Sequence, residues 1–313
     1  MIDRFERNIN NMRISITQQC NLDCFYCHHE GEKNEGAGVE NGHLTPPEIE
    51  KITQIASQVG IQKLKITGGE PLLRKDIVEI VKRTAKHMKE VSMTTNGVLL
   101  KKYAGALNGA GLKRINISFD ALDPTTFQRI TNKEFFYEVK EGIESAICAG
   151  LYPVKLNMVI LKGVNDKDIQ VAMDYASEIG AVLQLIEFEG SKEESGNSIF
   201  KKHYLNLRDW ENWLKSRSVE VRQRRMHRRN KYILPSENDG KAEVEIVRAM
   251  HNSEFCQNCT RLRVTSSGEL KPCLLKNDNL INIIGPIRKG ASDKELKDLF
   301  EYAILKKEPY WRA

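Results

Sequence analysis

Long apolar runs are missing from this sequence. Within its 313 residues no uninterrupted apolar stretch approaches the roughly 18 residues of a membrane span, so no contact with a membrane is expected. The opening residues, MIDRFERNIN, lack the apolar centre of a signal peptide, and a cytoplasmic location is expected. Internal repeats and low-complexity tracts are absent too. No charge sign dominates: 48 Lys and Arg against 42 Asp and Glu leave +6. That slight excess allows an anionic small ligand and does not demand a nucleic acid, so none is expected. With 40% hydrophobic and 29% charged residues, the chain is too apolar and too balanced to be disordered.

Seven cysteines are present, and disulfides are not expected of them in a reducing compartment. Metal binding is the better default. They divide as three, three and one: Cys20, Cys24 and Cys27; Cys256, Cys259 and Cys273; and Cys148, which reads as a small core residue.

β-rich runs at 12–17, 63–67, 91–95, 114–119, 153–160 and 182–188 alternate with helical patterns at 46–59, 76–89, 101–110, 134–149 and 166–179. Thr45 before Pro46, Pro47 and Glu48 has the pattern of a helix N-cap, and Asn165 or Asp166 would open the last of these helices. This alternation predicts an α/β fold, a partial (β/α)6 TIM-type barrel of parallel strands with its chemistry at the strand C-termini. Residues 1–190 form that barrel in this reading. Residues 191–313 form a C-terminal domain, after a linker at 190–198. That domain would hold a helix at 207–214 with Trp210 and Trp213 on its buried face, a strand or hairpin in VEVRQRRMHRRNKYILP, a strand at 241–250 and a closing helix at 294–305.

Cys20-x3-Cys24-x2-Cys27 follows the first strand directly, which puts three thiolates at its C-terminal end. Thiolates favour zinc or iron–sulfur clusters. Zinc with His28 or His29 as fourth ligand is one option; a four-iron cluster with one iron left open is the other. Cys256-x2-Cys259-x13-Cys273 again supplies three thiolates, and His251 could complete a zinc site. Between them Arg261 and Arg263 alternate on a short extended segment, so both guanidiniums face the same way. Paired forks of this kind suit phosphates. A cluster beside an anion clamp points to a phosphorylated substrate.

The C-x3-C-x2-C signature, followed by Gly68-Gly69-Glu70-Pro71, Thr94-Thr95-Asn96-Gly97 and Ser118-Phe119-Asp120 at successive strand ends, resembles the radical S-adenosylmethionine (SAM) superfamily. The FC-x2-C-x-R-x-R-x-T-x2-G segment narrows the resemblance to the GTP 3′,8-cyclase family, which opens molybdenum-cofactor biosynthesis. The resemblance implies a lyase with two [4Fe-4S] clusters. Cys20, Cys24 and Cys27 would hold the one that binds SAM, and Cys256, Cys259 and Cys273 the one whose open iron takes guanine. It implies a 5′-deoxyadenosyl radical that takes the ribose 3′ hydrogen of GTP, after which C3′ bonds to guanine C8. Tyr26, Gly69 and Ser118 stand at SAM-contacting positions, and Arg13, Lys65, Thr94, Lys155, Arg261 and Arg263 at GTP-binding ones. An electron donor, a downstream cyclic pyranopterin monophosphate-forming enzyme and a homodimer are further implications. Departures from the family pattern are Lys65 and Gln184 in place of arginine, Glu189 in place of methionine, and a tail reading EPYWRA without Gly-Gly.

The basic run at 222–229, RQRRMHRR, lacks an aromatic platform and reads as a solvated face rather than an RNA contact. His87, His203 and His227 have no ligand-like neighbours in sequence. Two rivals fit part of the pattern. A radical enzyme acting on a peptide would leave Arg261 and Arg263 without phosphates. A zinc-stabilised nucleic-acid-binding protein would be colourless, carry stoichiometric zinc and bind RNA in a salt-dependent way.

Overall fold

Parallel pairing starts at β1 (Asn11–Ser15), the strand that precedes the first cysteine trio. The computed structural model describes residues 1–32, 43–190, 196–235 and 241–311. Helices and strands then alternate: α1 (Pro46–Gln58), β2 (Lys63–Thr67), α2 (Ile77–Ala85), β3 (Glu90–Thr95), α3 (Leu100–Gly109) and β4 (Leu112–Ser118). There follow α4 (Pro124–Thr131), α5 (Phe136–Cys148), β5 (Val154–Ile160), α6 (Ile169–Glu178) and β6 (Val182–Glu187).

Local chemistry sets the helix boundaries. Thr45 caps α1 through a reciprocal bond pair with Glu48, as its sequence predicts, and prolines occupy the first turn. Helix α6 starts at Ile169 with Asp168 as its cap, later than Asn165 or Asp166. Asn165 is buried instead, and its amide donates to the carbonyls of Asp120 and Val159, both at 2.8 Å. That bond pair ties the loop after β5 to the end of β4.

Beyond residue 190 come α7 (Ser198–His203), α8 (Arg208–Arg217), β7 (Glu220–Gln223), β8 (Asn230–Pro235) and β9 (Lys241–Val247). The chain ends with α9 (Ser253–Gln257), β10 (Arg261–Val264), β11 (Glu269–Lys271), β12 (Ile281–Asn282), α10 (Ile284–Arg288) and α11 (Asp293–Leu305). Part of the expected linker, 191–195, lies outside the described residues. Two of the later strands join the barrel: β9 pairs in parallel with β6, and β10 in parallel with β1. The described sheet therefore holds eight parallel strands in the order β10-β1-β2-β3-β4-β5-β6-β9, flanked by antiparallel strands at both edges.

The turn joining β7 to β8 reaches across to the opposite edge. The His227 amide donates to the Asn258 carbonyl at 2.9 Å, and its ring stacks on Phe255 at 3.7 Å. Arg261 Nη2 meets Met226 Sδ at 3.4 Å. This contact bridges the gap between β9 and β10 and encloses a bore.

Three expectations change. Cys148, the last residue of α5, is exposed rather than in the core. Trp210 and Trp213 are half-buried, packed edge to face at 5.6 Å, so their face is only partly covered. The run 222–229 is not uniformly solvated: Arg222, Arg225 and Arg228 are exposed, while Arg224 and Arg229 turn inward.

Candidate active site

Alternation along the parallel strands separates apolar from polar. Met12 and Ile14 of β1, Leu64 and Ile66 of β2, Ile115 and Ile117 of β4, and Leu156 and Met158 of β5 are buried in the core beneath the helices. The intervening residues, Arg13, Lys65, Arg114, Asn116 and Lys155, take the other face. Register aligns them: Arg13 lies beside Lys65 and Arg263, and Asn116 beside Lys155. Interiors of such barrels are ordinarily filled by branched apolar side chains. This one is lined with cations.

Burial first, then the like charges of Arg114, Arg13, Arg261 and Lys155, hold Lys65 well below the usual lysine range. Its Nζ donates to Asn116 Oδ1 at 2.6 Å. The Thr94 hydroxyl is buried and has no hydrogen-bond partner among the described residues. A buried hydroxyl left unpaired is costly unless a ligand supplies the bond. The Arg13 Nε and the Arg114 Nε are buried and unpaired in the same way.

Two carboxylates reach into this layer. Glu30 accepts from Arg13 Nη1 at 3.0 Å, from Arg263 Nη1 at 2.8 Å and from Thr67 Oγ1 at 3.0 Å. Its burial alone would raise the carboxyl pKa; the guanidiniums of Arg13 and Arg263 win and hold it well below the usual range. Glu245 of β9 accepts from Lys155 Nζ at 2.6 Å and Gln184 Nε2 at 2.8 Å, and pairs with Arg224 Nη2 at 2.6 Å. Against the cost of burial, Lys155, Arg229 and Arg224 bring Glu245 down to about 2.

The first cysteine trio stands at the C-terminal mouth of this bore. Amides two residues downstream point at its sulfurs: Leu22 N at Cys20 Sγ and His29 N at Cys27 Sγ, both at 3.4 Å. Asn96 Nδ2 lies 3.8 Å from Cys20 Sγ. Such donors suit thiolates that ligate iron. Burial pushes all three thiols up, and Cys24 also feels Asp120, Cys27 and Cys20. Coordination removes that penalty by deprotonating the thiol. Among the described residues, no three His, Cys, Asp or Glu side chains converge to hold a single metal ion. One zinc would need its thiolates about 3.8 Å apart, from a Zn–S bond of about 2.3 Å. A cubane holds each thiolate on a different iron and does not require that convergence.

Around this mouth stand the strand-end motifs. A side chain on Gly69 would collide with the carbonyl oxygens of Gln18 and Gln19, so only glycine lets this turn cross the loop leading to Cys20. The Glu70 carboxylate accepts from the Leu72 and Asn96 amides and the Thr95 hydroxyl, tying two motifs together. Tyr26 OH donates to Asp120 Oδ2 at 2.5 Å. Ser118 ends β4 opposite Asn157.

The second trio lies at the other mouth. Cys259 just precedes β10, which runs parallel to β1, so it sits at the N-terminal end of the strands. Cys273 follows the antiparallel β11 and returns to the same end. The two mouths are separated by a strand's length, about 16 Å for five residues. His227, which has no ligand-like neighbours in sequence, hydrogen-bonds Cys259 through the fold. Burial opposes ionisation of Cys259, but Lys307 and His227 bring its thiol well below the usual range. Backbone groups of Tyr310 and Trp311 do the same for Cys256, where burial still dominates and raises it. The His251 ring packs against Trp311, tilted by 45° at 4.3 Å between centroids.

The chain matches the Radical SAM superfamily model over residues 14–176 and the Molybdenum Cofactor Synthesis C model over 181–313. It is 48% identical over 312 residues to a probable GTP 3′,8-cyclase of Thermococcus kodakarensis, covering 100% of both chains. The identity is 43% to that of Methanothermobacter thermautotrophicus, covering 99% of this chain and 98% of the relative. The chain belongs to the GTP 3′,8-cyclase family of radical SAM enzymes. Membership carries with it SAM and one [4Fe-4S] cluster. Solved structures share the fold: SAM-bound Streptococcus suis SuiB has a TM-score of 0.66 at 17% identity, over 97% of this chain and 67% of that one.

All six cysteines and all nine ligand-binding candidates of the family pattern thus fall at the mouths or walls of one bore. The sequence did not single out Glu30, Arg114, Asn116 or Glu245; it read Arg224 and Arg229 as part of a solvated basic run and gave His227 no role. Arg114 and Asn116 could have been found from strand alternation alone, because they flank Ile115 in RINIS. The others depend on contacts between distant segments.

Proposed function

We propose that this chain converts GTP into (8S)-3′,8-cyclo-7,8-dihydroguanosine 5′-triphosphate by joining ribose C3′ to guanine C8, the first step of molybdenum-cofactor biosynthesis. One observation carries the reading: a bore lined by cations has a cysteine trio at each mouth. A multiply charged nucleotide fits between them.

Cys20, Cys24 and Cys27 would hold the SAM-binding cluster, with Tyr26, Gly69 and Ser118 against SAM. Bound there, cluster and SAM supply a 5′-deoxyadenosyl radical. Cys256, Cys259 and Cys273 would hold a second [4Fe-4S] cluster, open to the guanine base. Arg13, Lys65, Thr94, Lys155, Arg261 and Arg263 would hold GTP along the bore. Their work is placement: phosphates anchored on the walls fix where ribose C3′ lies, and an enclosed bore keeps out water and stray hydrogen donors.

This reading takes 1–190 as the barrel and 191–313 as the auxiliary-cluster and substrate-binding domain. It also takes the enzyme as cytoplasmic and homodimeric, supplied by an electron donor, and followed by an enzyme forming cyclic pyranopterin monophosphate. A peptide substrate would leave Lys65 and Arg261, which pair with no carboxylate among the described residues, without counter-charges. The test is anaerobic incubation of reconstituted protein with GTP, SAM and reductant. Cyclised GTP should form together with 5′-deoxyadenosine. Formation of 5′-deoxyadenosine with no cyclised nucleotide would contradict the reading.

A further inference from the structure

The cations of the bore are not equally available to a ligand. Arg13 and Arg263 are paired with Glu30, Lys155 and Arg224 with Glu245, and Arg114 with Glu90 at 2.6 Å. Three are left without a carboxylate among the described residues. Lys65 donates only to the neutral Asn116, and Arg261 meets only the thioether of Met226. The Arg229 guanidinium has no hydrogen-bond or ion-pair partner among the described residues, and its Nε is shielded from solvent. These three form one electrostatic group, since Arg261 feels Arg229 and Lys65 feels Arg261.

The fold explains how Arg229 comes to be there. It ends the β7–β8 turn, which crosses the gap between β9 and β10 and is pinned at His227 to Asn258 and Phe255. Glu245 lies within electrostatic reach of Arg229, but its carboxylate is bonded to Lys155, Arg224 and Gln184 and makes no hydrogen bond or ion pair with Arg229 among the described residues. Glu189 lies within electrostatic reach but makes no ion pair with it. A guanidinium whose Nε is shielded from solvent and whose donors meet no acceptor is unfavourable until an anion supplies the bonds. Three such cations converging on one space call for an anion with several charges, and a guanidinium fork suits phosphate oxygens.

We propose that Arg229 is a phosphate-binding residue of the bore, completing with Lys65 and Arg261 a clamp that closes from the side the parallel strands leave open. The proposal rests on the GTP reading above. It makes the β7–β8 turn part of the substrate site.

The test uses the reconstituted holoenzyme under anaerobic conditions, with GTP and guanosine as probes in equilibrium dialysis. Arg229→Gln should weaken GTP binding about tenfold, the size of one lost charge-assisted contact. Arg229→Lys should recover part of that loss. Guanosine affinity and iron content should stay at the wild-type level in both. Arg225→Gln, at an exposed position of the same turn, should bind GTP as wild type does. Wild-type GTP affinity in Arg229→Gln, alongside a loss in Arg261→Gln, would overturn the clamp and leave the GTP reading intact. Equal losses for GTP and guanosine would also overturn it, because phosphate contact would not be what was removed. A wild-type holoenzyme that binds neither nucleotide would overturn the GTP reading and the clamp with it.

Discussion

Glu30 bridges Arg13 and Arg263, accepting from one guanidinium at 3.0 Å and from the other at 2.8 Å. The carboxylate comes from the segment just after the first cysteine trio, and the two arginines from neighbouring strands. In the proposed reading, this internal anion occupies part of the surface that GTP would use. Glu30→Gln should destabilise the ligand-free protein by about 3 kcal/mol, because two buried guanidiniums lose their partner. It should also raise GTP affinity several-fold by removing a negative charge from the bore. Anaerobic thermal unfolding with and without GTP checks both effects; a variant equally stable and equally responsive to GTP would contradict this account.

Arg261 and Arg263 share the β10 face that turns into the bore. The double Ala variant should bind GTP at least about tenfold more weakly, since two forks are lost. The first trio is at the other mouth, so SAM binding and 5′-deoxyadenosine formation in the absence of GTP should persist. Unchanged GTP affinity by equilibrium dialysis would remove both residues from the site.

Gly69→Ala tests the close crossing of two motifs. The added carbon meets backbone oxygens of Gln18 and Gln19, not a flexible side chain, so the loop leading to Cys20 must move. Small displacements of a reacting centre cost about a hundredfold in rate. Formation of 5′-deoxyadenosine should fall by that order while the overall fold persists by circular dichroism. Wild-type turnover in this variant would show that the crossing is not needed.

Asp120 gives a pH signature. Burial raises its carboxyl to about 6, against the Tyr26 hydroxyl and the Val159 amide, which favour the charged form. Its folded pKa lies above the ordinary 3.8. The stabilisation is therefore complete below pH 3.8 and is lost as pH rises through about 6. The upper bound on the change is about 3 kcal/mol. Asp120→Asn should flatten the stability profile between these values, because the tyrosine hydroxyl can turn to accept from the new amide. A variant profile as steep as wild type would assign the slope to another group.

What the sequence made legible was local. Strand periodicity, the Thr45 cap and the motif order located the six inner strands and placed Cys20, Gly69 and Ser118 at their ends. Arg261 and Arg263 were readable as a pair because strand geometry depends only on neighbours. Strand β10, by contrast, pairs with β1 some 250 residues away in sequence (Arg13 beside Arg263), and no local pattern encodes that contact. Arg229 read as part of a solvated basic run, and Glu245 was not singled out, for the same reason. Their burial comes from the curl of the sheet and the return of the β7–β8 turn. His227 became a partner of Cys259 through that same turn.

The central claim is that two iron–sulfur clusters face one another along a single bore, each held by its own thiolates. Iron and acid-labile sulfide counts on anaerobically reconstituted protein test it most directly, for wild type and for variants with either trio replaced by alanine. Wild type should carry about eight irons and eight sulfides per chain, and each triple variant about four of each. Four or fewer irons in the wild type, or stoichiometric zinc at the second trio, would contradict it.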